Sequence, residues 1–175
     1  ITVGGTGKTP TAEYLLGVHS DKYNIAILSR GYGRDTEGYR EVTVDDSYVD
    51  VGDEPLLLKL KFPDRPVIVC EDRVAGIERI RQEHPEVNLI IMDDGFQHRY
   101  VEAQINIIML DYTRPVYEDK FLPGGQLRDL PSQLYRAQYF IVTKCHEDLT
   151  PIERRLLKKD FLRYPYQSLY MTGIE

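Results

Sequence analysis

The run Gly4-Gly5-Thr6-Gly7-Lys8-Thr9 constrains this chain more than any other part of it. An apolar run, Ile1-Thr2-Val3, leads into it, and the stretch that leaves it, 9–18, has helical spacing. A glycine-rich turn between a strand and a helix aims backbone N–H groups at one point. The helix N-terminus adds a partial positive charge there. This is the setting of a phosphate-binding P-loop, in which Lys8 reaches the β- and γ-phosphates of a nucleotide and Thr9 ligates Mg²⁺ through its hydroxyl. The candidate nucleotide-binding residues are Thr2, Val3, Gly4, Gly5, Thr6, Gly7, Lys8 and Thr9.

The rest of the chain alternates short apolar runs with amphipathic stretches. Strands are predicted at 1–3, 25–29, 67–70, 89–92, 105–110 and 139–143, rich in Ile, Val and Leu and mostly continuous. Continuous apolar strands are expected where both faces of a sheet are covered. Helices are predicted at 9–18, 54–62, 72–84, 132–137 and 151–159, the last opened by Thr150 as N-cap and Pro151 at the first helical position. Such alternation implies right-handed βαβ units. The predicted fold class is α/β, a P-loop NTPase-like three-layer α/β/α architecture around a mostly parallel sheet. Residues 31–53 read as an excursion with a short hairpin arm at 41–44.

Composition narrows the function classes. The 175 residues suffice for a sizeable core, and 22 Lys and Arg against 28 Asp and Glu leave a net charge of -6. That charge argues against a surface that coats nucleic acid, so no nucleic-acid partner is expected. No run approaches the length of a membrane span. Two cysteines without a Cys-x-x-Cys pair exclude a disulfide framework or a zinc ribbon.

A second motif closes the strand at 89–92 with two carboxylates, Asp93 and Asp94. P-loop enzymes place such an aspartate beside the loop to hold Mg²⁺. Adjacent acids on an extended chain point to opposite sides, so one of the two is expected to face the metal. Asp94-Gly95 is also a good turn pair. The loop departs from G-x-x-x-x-G-K-[ST] at its first position, Thr2, and its double glycine resembles the variant loop of septum-site and arsenical-pump ATPases.

Three more strings accompany the loop and the Asp93-Asp94-Gly95-Phe96-Gln97-His98 run. They are Ser29-Arg30-Gly31-Tyr32-Gly33, Gly52-Asp53-Glu54-Pro55 and Leu122-Pro123-Gly124-Gly125-Gln126-Leu127-Arg128-Asp129. Taken in order, the five resemble the tetraacyldisaccharide 4'-kinase (lipid A 4'-kinase) family of Gram-negative bacteria. The resemblance implies ATP- and Mg²⁺-dependent phosphorylation of the 4'-hydroxyl of a lipid A disaccharide precursor. It also implies a second α/β domain and an N-terminal membrane-associating helix beyond this chain, on the cytoplasmic side of the inner membrane. The chain then reads as a piece of a longer protein, itself soluble, with a kinase domain at 1–165 and the start of a linker at 166–175. The rival expectation is a septum-site-type ATPase switch, which shares the loop but not the other strings.

The resemblance assigns Asp53 as the base that takes the proton from the sugar hydroxyl; read from the residues alone, Asp53 is equally an N-cap. Arg30 stabilises the transferring phosphate or pairs with a nearby acid. Gln97 and His98 contact substrate or the groups behind it. Asp129, with glutamate expected in relatives, supports the metal or nucleotide, and Arg128 binds an anion. Thr143-Lys144 ends a strand where related nucleotide-binding folds keep a base-reading Asn/Thr-Lys-x-Asp. Here His146 holds the Asp position, which suits ATP better than GTP; the bland alternative is a snorkelling lysine.

Overall fold

The computed structural model describes residues 6–113 and 131–173. The predicted strand at 1–3, the residues Thr2 to Gly5 and the string at 122–129 with Arg128 and Asp129 lie outside them. The chain divides into two compact units, Lys8–Val101 and Glu102–Glu175 with Ile1–Gly7.

The first unit runs α1 (Lys8–His19), β1 (Ile25–Ser29), β2 (Arg40–Glu41), α2 (Tyr48–Val51), α3 (Asp53–Lys61), β3 (Val67–Val69), α4 (Arg73–Glu83) and β4 (Leu89–Met92). Its sheet has the order β2-β3-β1-β4, with β1 parallel to both β3 and β4 and β2 antiparallel at the edge. All five residues of β1 are buried, because the strand alternates between two cores. Ile25 and Ile27 pack with Leu16 and Leu58 from α1 and α3, whereas Ala26 and Leu28 pack with Ile80 from α4. Helices on both faces make this unit a three-layer α/β/α sandwich.

Local chemistry explains the boundaries. Asp72 caps α4, accepting from the Val74 and Ala75 N–H groups at 2.9 and 3.1 Å. The expected hairpin arm at 41–44 is instead the two-residue β2. Asp46 bonds the Arg40 guanidinium and takes the Thr43 N–H at 2.7 Å, which folds the chain into a turn as β2 ends. Ser47 then caps the unpredicted α2.

The second unit runs β5 (Ile107–Asp111), a 3₁₀ helix (Pro131–Arg136), β6 (Tyr139–Cys145), α5 (Pro151–Phe161) and β7 (Ser168–Gly173). Its three strands are parallel in the order β5-β6-β7. Thr150 and Glu153 form the capping box of α5, with the proline at its first turn as predicted. The stretch expected as a helix near 132–137 is a 3₁₀ turn, closed by Ala137 N–H donating to the Leu134 carbonyl at 3.1 Å. Cys70 and Cys145 are both buried.

Two glycines lock two loops together. Gly31 has φ +70 and Gly52 has φ +92, and a Cβ on Gly52 would stand 3.3 Å from the Gly31 Cα. A Cβ on Gly31 would meet the Val51 carbonyl oxygen at 3.0 Å. Gly52→Ala is expected to destabilise the protein by about 1–3 kcal/mol, since only glycine settles in this backbone region without strain. Chemical denaturation of the variant measures it.

Candidate functional site

Parallel strands end at one edge of their sheet, and ligands of open α/β sheets bind outside that edge. In the Lys8–Val101 unit the segments leaving β1, β3 and β4 carry Arg30, Arg73 and Asp93-Asp94. Lys8 opens α1, and its Nζ lies 3.2 Å from Asp94 Oδ1. The lysine of the phosphate loop and the acidic pair, far apart in sequence, therefore form an ion pair in this unit. Thr9 follows Lys8 in the first turn of α1.

The two aspartates occupy different environments. Asp94 has φ +51, a left-handed turn conformation that aspartate tolerates, and its side chain is partly exposed. Asp93 is buried. Burial, with the neighbouring Glu54 and Asp94 carboxylates adding to it, pushes the Asp93 carboxyl up to about 6, against the pull of Lys8. Glu54 sits in the first turn of α3, next to Asp53. The Asp93 carboxyl thus feels two carboxylates, Glu54 and Asp94, and one ammonium, that of Lys8.

Asp53 is exposed and is the first residue of α3, not its cap. Gly52 takes the N-cap position, so the capping alternative for Asp53 gives way to a first-turn carboxylate favoured by the helix dipole. Asp53 Oδ1 accepts the Glu54 N–H at 3.0 Å. The Gly31–Gly52 contact brings the loop bearing Arg30 against the start of α3. His98 donates its backbone N–H to the Gly95 carbonyl at 3.0 Å. Burial lowers the pKa of its imidazole, and the Arg73 and Arg30 guanidinium groups lower it further while Asp94 opposes them.

Arg73 and Glu54 were not singled out from the sequence. Arg73 is a fully buried arginine whose Nη1 donates to the Cys70 carbonyl and whose Nη2 donates to the Asp93 carbonyl at 3.4 Å. It ties the chain after β3 to the chain after β4. Its signal was available: a cation in the first turn of a helix opposes the macrodipole and needs a reason to be there. In the other unit, Thr6 is buried and Gly7 has φ +84.

A family model for tetraacyldisaccharide-1-P 4'-kinase matches residues 1–169. The chain belongs to this family. It is 48% identical to a tetraacyldisaccharide 4'-kinase of Phocaeicola vulgatus over 99% of its length and 48% of that protein's. It is 45% identical to one of Bacteroides fragilis and 44% identical to one of Porphyromonas gingivalis, covering 46% and 49% of those proteins. The chain thus spans about half the length of the curated relatives it matches. Among solved structures, the crystal structure of "apo" form LpxK from Aquifex aeolicus in complex with ATP matches 98% of this chain and 51% of that one. The TM-score is 0.78 and the identity 29%. Family and neighbour agree with the α/β, P-loop NTPase-like fold. Among the described residues, no helix is long and apolar enough to cross a membrane.

The crowding of carboxylates has a measurable sign. A carboxyl whose folded pKa is raised binds its proton more tightly folded than unfolded, so stability falls as pH rises between the two values. For Asp93 the gap between about 3.9 unfolded and about 6 folded corresponds to roughly 3 kcal/mol. Asp93→Asn is expected to flatten the decline between pH 4 and 6 and to raise stability at pH 7. Denaturant titrations in EDTA across that range check it.

Proposed function

We propose that this chain is the nucleotide-binding part of a kinase. It transfers the γ-phosphate of ATP to the 4'-hydroxyl of an acylated glucosamine disaccharide 1-phosphate, the lipid A precursor. Family membership supports the substrate class, and the Lys8–Asp94 ion pair is the observation that carries the chemistry. It joins a phosphate-binding lysine to an acidic strand end, as phosphoryl transfer requires. The septum-site-type switch shares the loop but not the family match.

Each residue has a part. The loop residues Thr2 to Thr9 cradle the phosphates, and Lys8 neutralises charge on them. Thr9 with Asp93 or Asp94, supported by Asp129, would hold Mg²⁺, which when bound neutralises charge on the phosphoryl oxygens. Asp53 takes the proton of the 4'-hydroxyl as its oxygen bonds to the γ-phosphorus and the bond to ADP breaks. Arg30 stabilises the transferring group, and His98 contacts the substrate or the groups behind it. Residues 1–165 form the kinase domain, and 166–175, whose strand β7 still pairs with β6, begin the linker. Because the acceptor is a lipid, the complete enzyme works at the cytoplasmic face of the inner membrane and reaches it through a segment outside this chain.

Steady-state kinetics on the complete gene product, with ATP and disaccharide acceptor, test this. Lys8→Ala is expected to lower transfer by about 10²–10³-fold, the loss typical of one key electrostatic donor. Asp53→Asn keeps the size of the side chain but cannot take the proton. It is expected to cut kcat by about 10²–10⁴-fold while ATP binding, measured separately, stays at its wild-type level. ATP turnover that ignores the acceptor would favour the switch instead.

A further inference from the structure

The carboxyl end of α4 gathers side chains that the proposed chemistry leaves unused. Glu83 is the last residue of the helix and His84 its C-cap, with Glu86 two residues on. Glu41, the second residue of the edge strand β2, meets them there. His84 Nε2 lies 3.1 Å from Glu41 Oε2, and His84 Nδ1 lies 3.5 Å from Glu86 Oε1. Glu41, Glu83 and His84 each bring a ligand atom to within 4.8 Å of the other two. All of them belong to the Lys8–Val101 unit.

This cluster differs from a solvated acidic patch in three ways. The carbonyls at the end of a helix make it partly negative, so Glu83 and Glu86 stand where cations are favoured. Arg79 answers only part of that charge, its Nε donating to Glu83 Oε1 at 2.7 Å. A neutral imidazole carries one N–H, yet His84 has a carboxylate at each nitrogen. With Nδ1–H turned to Glu86, the Nε2 lone pair faces the Glu41 oxygen, acceptor against acceptor, and calls for a cation between them. The Tyr39 hydroxyl oxygen, finally, is buried and makes no hydrogen bond of full geometry. The charges it faces are the Glu83 and Glu41 carboxylates and Arg79, whose guanidinium covers its ring at 4.2 Å.

We propose that Glu41, Glu83 and His84 form a site for a zinc-class divalent cation, with Glu86 and Tyr39 behind it. An imidazole and two carboxylates suit Zn²⁺, which takes three such ligands and a water at about 2.0–2.2 Å. In a tetrahedron, bonds of that length set ligand atoms about 3.4 Å apart, close to the spacing of His84 Nε2 and Glu41 Oε2. The Glu83 side chain is 40% exposed and has room to close the remainder. Glu86 turns the imidazole as carboxylates behind a zinc-bound histidine do, and the Tyr39 hydroxyl is placed to bond the water. Mg²⁺ demands an octahedron of oxygens, so this site differs in chemistry from the one proposed at Thr9 and the Asp93-Asp94 pair. Edge strand β2 is held by two residue pairs, Arg40 with Val69 and Glu41 with Ile68. The ion ties that strand to α4. The inference does not depend on the kinase reading.

Calorimetric titration of the complete gene product with ZnCl₂, in excess Mg²⁺ and without nucleotide, tests this. Wild-type protein is expected to take up one more Zn²⁺ ion than His84→Gln. Glu41→Gln, which keeps the size of a side chain on an exposed edge, is expected to lose the same event. Tyr39→Phe and Glu86→Gln are expected to keep it but weaken it by about 10–100-fold, the usual loss for groups behind the ligands. Zinc is also expected to raise the Tm of wild type and not that of His84→Gln, because an ion bound only by the folded state stabilises it. Equal zinc stoichiometry in wild type and His84→Gln would overturn the inference, as would an event that persists unchanged in Glu41→Gln. Wild-type protein with no such event in excess Mg²⁺ would make His84 an imidazolium between two carboxylates, and the site would fall.

Discussion

Everything in the Lys8–Val101 unit depends on β1 being paired in parallel on both sides. Ile25–Leu28 align with Leu89–Met92, and Ile27–Ser29 with Val67–Val69. A parallel register makes three strands end at the same edge, so the residues that follow them converge without any further instruction. Burial on both faces fixes that register, because a slip by one residue would exchange the Ile25–Ile27 set with the Ala26–Leu28 set between two differently shaped cores. The site is thus a by-product of strand ends, and its reactive groups sit on the turns.

Those turns hold charges that the fold alone does not balance. Arg73 is buried behind the β4 turn, and burial works against its charge while Asp93 works for it. The Asp93 carboxyl in turn is pushed up to about 6 by its burial and by the neighbouring Glu54 and Asp94 carboxylates. Buried charges with such incomplete compensation cost stability, and proteins keep them where a ligand completes the set.

Much of this was legible in the sequence, for physical reasons. β1 and β4 match their predicted bounds, since continuous apolar runs between polar turns leave little choice. Lys8, Asp93 and Asp94 were named together because each follows an apolar strand or opens a helix. Less legible were features set by long-range partners. The two-residue β2 is decided by the Arg40–Asp46 pair, and the contact between Gly31 and Gly52 exists only once two distant loops meet. Glu54 is less legible than its neighbour Asp53, because sequence cannot tell which of two adjacent carboxylates acts on Asp93.

The two cysteines have a practical bearing. Burial holds both thiols above their usual pKa, and neither reaches the surface. Thiolate is the reactive form, so Cys70 and Cys145 are poor targets for maleimides and for oxidants. Within these residues, a cysteine introduced at Tyr32, which is 83% exposed on the loop locked by Gly31, becomes the thiol that a dye finds first. The wild-type background itself therefore serves as the blank for fluorescence work on that loop.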